Sequence, residues 1–184
     1  MAGVFFISGA PKSGTTWFQR MLNSHPDIVC KGEGHFVESL VNPLAAILNN
    51  YNKKMKLVEE RVYQGKPYYH RYSQREFDEL CRTIIDTRIL SGAKPGVKLY
   101  GDKTPRYYEF FDTLKRLYPD AKLLNVRRDP RDVVVSRMFQ ASRVGVPGAL
   151  AKGGPKRLVN DSPFAWRIGR HVLFAQRHSR RLAE

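Results

Sequence analysis

The sequence predicts an α/β domain with a mostly parallel central sheet flanked by helices, and three observations carry that expectation. Short apolar runs alternate with amphipathic segments of helical period, the pattern of βαβ units. Four of those runs, Val4–Gly9, Ile28–Lys31, Val97–Tyr100 and Lys122–Val126, each lead into a loop rich in Gly, Pro or charge. Helix-start signatures follow several of the loops. At 184 residues the chain fits a single domain, 1–184, large enough to bury its own core.

Taken in order, Val4–Gly9 is an apolar run and predicts a buried strand. Thr15–Asn23 follows as a helix, with Trp17/Met21 and Phe18/Leu22 at i,i+4 spacing and Ser24-His25-Pro26 as its stop. After the short strand Ile28–Lys31, Asn42-Pro43 reads as an N-cap with proline at N1, opening a helix through Leu44, Ile47 and Leu48. Residues 51–72 are basic and tyrosine-rich without a clear period, and no element is assigned to them. Ser73-Gln74-Arg75-Glu76 is a capping box ahead of an amphipathic helix carrying Phe77, Leu80, Cys81, Ile84 and Ile85. Strand Val97–Tyr100, helix Tyr107–Tyr118 and strand Lys122–Val126 come next. Asp129-Pro130 caps a helix to about Gly145, residues 145–163 are a Gly/Pro-rich loop, and Ser162-Pro163 starts a last helix. That helix carries Phe164, Trp166, Ile168, Val172, Leu173 and Phe174, more apolar surface than a solvated terminal helix needs. It is expected to pack on the sheet, on a further segment or on a second copy in a homodimer.

Composition narrows the class. Cys30 and Cys81 are too few for a disulfide framework and lack metal-ligand spacing, so buried thiols are expected. No apolar run approaches the ~18 residues of a membrane span, and the N-terminus carries no basic leader, so a cytoplasmic location is expected. The net charge of +15 is uneven: residues 1–120 hold 18 Lys/Arg against 13 Asp/Glu, and residues 121–184 hold 14 against 4. Such a field attracts polyanions or phosphorylated nucleotides.

The first chemical motif is Gly9-Ala10-Pro11-Lys12-Ser13-Gly14-Thr15-Thr16 between a strand and a helix. Glycines let backbone wrap an anion, and amides at the helix start point at it. Gly9, Gly14 and Thr16 fit the nucleoside-triphosphatase loop, but Thr15 stands at its lysine position and the lysine is Lys12 in the crest. That departure disfavours a kinase or nucleotidase, which remains the alternative enzyme class. Pro11-Lys12-Ser13-Gly14-Thr15-Thr16-Trp17 resembles the 5′-phosphosulfate loop of sulfotransferases that use 3′-phosphoadenosine-5′-phosphosulfate (PAPS). The resemblance implies a P-loop-type domain. It also implies Lys12 on the bridging oxygen and sulfuryl group, Ser13, Gly14, Thr15 and Thr16 on the 5′-phosphate, and Trp17 on adenine. Core packing is the other reading of Trp17.

A second motif, Arg127-Arg128-Asp129-Pro130-Arg131-Asp132-Val133-Val134-Val135-Ser136, resembles the family's 3′-phosphate segment. It implies that Arg128 and Ser136 hold that phosphate, a guanidinium fork and a hydroxyl suiting the task. Asp129 reads as the helix cap, and Arg127 and Arg131 as solvated charges. Tyr100-Gly101-Asp102-Lys103-Thr104-Pro105 resembles a Glu-Lys-Thr-Pro segment of carbohydrate-modifying members, where the lysine faces the sulfuryl group; Lys103 is the match. The alternative for Lys103 is an ion pair with Asp102. His25-Pro26-Asp27 through Glu33-Gly34-His35-Phe36 resembles the glutamate segments of protein-tyrosine and heparan-type sulfotransferases. It implies Glu33 as the base, with His35 as its support or its rival. If the strand continues, alternation lets only one of the two face the acceptor directly, but Gly32 and Gly34 free the backbone there to break the alternation. An ion pair with Lys31 or Lys12 is the structural alternative for Glu33.

The implied reaction is in-line transfer of a sulfuryl group from PAPS to a hydroxyl or amine, with no metal. The residues do not distinguish sugar, tyrosine, lipid or small-alcohol acceptors. A different class, a polyanion-binding module built on the basic C-terminal third, predicts salt-steep nucleic-acid binding. No helix-turn-helix or aromatic RNA motif supports it, and no nucleic-acid partner is expected. The resemblance covers most of residues 4–145, and family members continue beyond the last helix, so a C-terminal segment of the family domain is expected to be missing here.

Overall fold

The computed structural model describes residues 3–93 and 95–143. Four strands form one parallel sheet in the order β2-β3-β1-β4: β1 Gly3–Gly9, β2 Ile28–Gly32, β3 Leu99–Lys103 and β4 Lys122–Val126. The expected α/β class is observed. β1 lies inside the sheet, between β3 and β4. Strand order reverses around it, and open α/β sheets bind ligands at the carboxyl end of such a switch point.

Side-chain alternation along β1 sorts the two faces. Phe5 and Ile7 pack with Cys30 against Phe18 and Leu22 of α1 (Thr15–Asn23). Val4 and Phe6 join the opposite cluster, formed with Phe77, Cys81, Ile85 and Ile89 of α3 (Gln74–Leu90) and Phe111, Leu114 and Leu117 of α4 (Phe111–Leu117). Phe6 is fully buried, with the rings of Tyr107 and Tyr118 at 5.5 and 5.4 Å. Burial of that side chain alone contributes about 2–3 kcal/mol. The result is three layers with β1 at the centre of the middle one. Both cysteines are free and buried, as expected.

The capping box forms as read: Ser73 Oγ accepts from the Glu76 amide, and Glu76 returns to the Ser73 amide at 2.8 Å. Elsewhere the boundaries move. α2 runs Asn42–Val62, absorbing half of the unassigned 51–72 stretch. Asn42 is not its cap: its backbone is already helical, and a π turn over Val37–Val41 leads straight into it. Pro43 has no N–H to give, so the backbone hydrogen-bonding pattern changes just before it. The third strand is Leu99–Lys103, three residues past the expected end at Tyr100. Tyr107–Tyr118 divides into a 3₁₀ turn, Pro105–Glu109, and α4. α5 (Pro130–Arg143) starts where Asp129 predicts, with Asp129 Oδ1 accepting from the Arg131 amide at 2.8 Å. The 145–163 loop and the last helix lie outside the described residues. Among the described residues, no helix is long and apolar enough to cross a membrane.

Candidate functional site

The carboxyl ends of the strands carry two clusters. The first is the loop between β1 and α1. Gly9, at φ 153°, sits so close to β4 that a Cβ would run into the Val126 carbonyl. The loop then turns through two left-handed residues, Lys12 at φ 77° and Gly14 at φ 100°, with the Ser13 amide donating to the Ala10 carbonyl at 2.9 Å. Gly14 is the N-cap of α1 and has no side chain to accept from the helix's first amides. Ser13 is 6% exposed, and its hydroxyl finds no hydrogen-bond partner among the described residues. A buried hydroxyl without a partner costs about 1–3 kcal/mol. A phosphate oxygen at this helix start would satisfy both the hydroxyl and the amides, so the loop fits an anionic group. Thr15 is buried and Thr16 exposed.

Arg128 and Ser136 complete this cluster from β4 and α5. Arg128 Nη1 donates to the Lys12 carbonyl at 3.5 Å, and its Nε to Asp132 at 3.5 Å. Lys12 and Ser136 line one cleft of about 330 Å³ with Val135, Phe139 and Gln140. The two segments singled out in the sequence therefore meet. Phe139 and Gln140 were not foreseen, although spacings of three and four from Ser136 put them on its side of the helix. Trp17 is 69% exposed, which removes core packing as its role. Its i,i+4 pair with Met21 is the solvent side of α1, whereas Phe18 and Leu22 are the buried side. Arg131 is exposed and pairs with Asp129 at 2.6 Å, as a solvated charge should. That contact and the Arg131 amide hold the Asp129 carboxyl down at about 2.

The second cluster joins the ends of β2 and β3. Register sets Gly32 and Ile7 on either side of Lys103. The Lys103 side chain is 3% exposed, and its Nζ donates to Glu33 Oε1 at 2.6 Å, while Glu33 itself is 53% exposed. The partner of Lys103 is thus Glu33 and not Asp102, and the partner of Glu33 is neither Lys31 nor Lys12. The Lys103 hydrogen bond, which outweighs the opposing effect of burial, holds the Glu33 carboxyl below its ordinary value. Strand alternation stops at Gly32: Glu33 and His35 both adopt left-handed backbone, φ 58° and 49°. The turn brings their side chains together, His35 Nε2 lying 3.9 Å from Glu33 Oε2, so the alternation fails beyond Gly32 as the flanking glycines allow. His35 Nδ1 is 2.8 Å from Glu38 Oε1, which orients the ring. Glu38 was missed because its role depends on the π turn that follows the strand.

Below the turn lies a buried group that the sequence also left unassigned. Asp102 is fully buried and accepts from Tyr107 Oη at 2.7 Å, Thr104 Oγ1 at 2.9 Å and the Gly34 amide at 3.2 Å. Burial raises its carboxyl above the ordinary value, against the lowering effect of those donors. No periodic signal could have found this group, because it joins the end of β3 and the 3₁₀ turn after it to the Gly34 loop, far away in sequence.

The profile of the Sulfotransferase family matches residues 5–178. Protein-tyrosine sulfotransferase 1 of Homo sapiens is 29% identical over 133 residues, 72% of this chain and 33% of that protein. Protein-tyrosine sulfotransferase 2 of Gallus gallus is 29% identical over 173 residues, 94% of this chain and 42% of that protein. The chain thus spans less than half the length of these relatives. A sulfotransferase structure, STF9 from Mycobacterium avium, is similar at 17% identity and a TM-score of 0.42, covering 98% of this chain and 56% of that one. With the family's profile matched across nearly its whole length, this chain belongs to the Sulfotransferase family.

Proposed function

We propose that the chain transfers a sulfuryl group from PAPS to a hydroxyl or amine of an acceptor. The observation that carries this reading is that two segments far apart in sequence meet: Arg128 reaches the Lys12 carbonyl, and Ser136 shares a cleft with Lys12. Ser13, Gly14, Thr15 and Thr16 would hold the 5′-phosphate, Arg128 and Ser136 the 3′-phosphate, and exposed Trp17 the adenine. A nucleotide of roughly four negative charges needs such a cationic site. When bound, PAPS supplies a sulfuryl group attached to a bisphosphate leaving group.

The chain's own residues then divide the remaining work. Lys12 and Lys103 offer positive charge to the oxygens that gain negative charge during transfer. Glu33, ionised and reachable from solvent, takes the proton of the acceptor hydroxyl. Its pairing with Lys103 makes it a weak base at rest, so proton transfer becomes favourable only as the acceptor oxygen bonds to sulfur. His35 supports Glu33 from the side away from Lys103. Tyrosine peptides and glycans head the acceptor panel, by analogy with the relatives' names for the first and the Asp102-Lys103-Thr104-Pro105 segment for the second.

Ligand-induced stabilisation tests the donor. Adenosine 3′,5′-bisphosphate is expected to raise the melting temperature more than adenosine 5′-monophosphate or ATP with magnesium, because only it engages both phosphate elements. Equal shifts from the bisphosphate and the monophosphate would remove the 3′-phosphate role. Salt-steep nucleic-acid binding that the bisphosphate leaves untouched would favour the polyanion module instead. Transfer of label from sulfur-labelled PAPS across the acceptor panel then identifies the acceptor.

Arg128→Ala is expected to weaken bisphosphate binding by about 2 kcal/mol, roughly 30-fold in Kd, for loss of a charge-assisted phosphate contact. Calorimetric titration checks it. Affinity for the monophosphate should change little, and an equal loss for both nucleotides would reassign Arg128 to the loop.

A further inference from the structure

Asp102 takes no part in the chemistry above, yet it is among the most buried charged groups of the described residues. Burying a carboxylate is costly unless it is fully hydrogen-bonded. Among the described residues, each of its hydrogen-bond partners donates: the hydroxyls of Tyr107 and Thr104, and the Gly34 amide, which reaches both oxygens at 3.2 and 3.3 Å; the Lys103 charge and the Cys30 thiol also act on it without a hydrogen bond. Thr104 Oγ1 in turn accepts from the His35 amide at 3.2 Å. The Lys103 carbonyl accepts from the Glu33 amide at 2.7 Å. Three successive amides of the turn, at 33, 34 and 35, are therefore each caught by one of three successive residues at the end of β3. Those amides belong to a turn in which two non-glycine residues, Glu33 and His35, are held at positive φ. Such backbone persists only where its surroundings over-determine it.

We infer that Asp102 is a positioning residue: through Gly34 and, by way of Thr104, His35, its buried carboxylate clamps the Glu33–His35 turn so that the Glu33 carboxylate stays on Lys103 Nζ. An apolar residue would fill the same space at lower cost, but it could not hold the turn. Tyr107 sets the clamp in turn, its ring packed edge-on against Phe6 and its hydroxyl on Asp102. The catalytic meaning of the clamp rests on the proposed role of Glu33. The clamp itself does not.

The test uses the full chain without donor or acceptor, so its failure is separate from failure of the sulfuryl-transfer reading. Asp102→Asn keeps the shape but leaves one acceptor oxygen in place of two. Thr104→Val keeps the carboxylate and the volume and removes the link to the His35 amide. It decides the matter if the asparagine variant does not fold. Two signals are read by NMR, exchange of the Gly34 and His35 amides and the titration of the Glu33 carboxyl. The expected result is at least ~10-fold faster exchange at Gly34 and His35 with β1 amides unchanged, as for local opening. The Glu33 midpoint should also rise toward the ordinary glutamate value as its contact with Lys103 is lost. An unchanged Glu33 titration in a folded variant overturns the inference. So does uniformly faster exchange across β1 with no change at Glu33, which would make Asp102 a stabiliser of the sheet alone.

Discussion

Glu33→Gln is expected to lower turnover by ~100-fold or more, the range of a general base, while bisphosphate affinity stays unchanged. Glutamine preserves size, and its carbonyl oxygen still accepts from Lys103 Nζ, so the 2.6 Å contact has a neutral substitute and the turn is undisturbed. What disappears is the ability to take a proton. pH dependence gives an independent check. The folded carboxyl is depressed, chiefly by the Lys103 hydrogen bond. A depressed carboxyl contributes stability above its unfolded value and loses it as pH falls through the folded one. The ionised carboxylate therefore persists to pH below the ordinary glutamate range, and, with Glu33 as the proposed base, the acid limb of kcat/KM is expected there. His35→Ala should cost less, since its ring flanks Glu33 at 3.9 Å without replacing it. Should the alanine variant be inactive while Glu33→Gln keeps most of its activity, histidine is the base.

Lys103→Met is expected to cost ~10²–10³-fold in turnover, the scale of losing one pre-organised donor to developing charge. Methionine fills the buried path of the lysine stem, so the loss reports the ammonium and not a cavity. The Lys103 ammonium emerges from a nearly inaccessible side chain onto a half-exposed carboxylate. A charge in such surroundings is less screened than one on the surface. The same substitution frees Glu33 from its partner, so the two residues act as a unit. Combining Lys103→Met with Glu33→Gln should cost clearly less than the product of the single losses. Strict multiplicativity in steady-state assays would show that the pair does not function together.

How much of this site was readable along the chain depends on how local each part is. The Gly9–Thr16 loop and the Asp129 cap are runs of adjacent residues. Their shape follows from glycine permissiveness, proline at N1 and a short capping side chain, all of which act within a few residues. α1 and β4 were placed to the residue for the same reason, and the Ser73 capping box formed as written. β3 was not. Tyr100-Gly101-Asp102-Lys103 looks too polar for a central strand, and it becomes one only because β1 and β2 pair with it on both sides.

The four strand–loop–helix units, the glycine-containing Gly9–Thr16 loop and the identity of Lys12, Glu33, Lys103, Arg128 and Ser136 as the residues to watch were written in local order along the chain. Which of them touch was not. The Lys103–Glu33 pair, the His35–Glu38 contact beside it and the buried Asp102 clamp all follow from strand register, with Gly32 opposite Lys103, and from a turn held in left-handed backbone. Periodicity reports which face a side chain takes within its own element. It carries no information about the partner strand, because pairing is settled by burial and hydrogen bonding summed over the whole sheet.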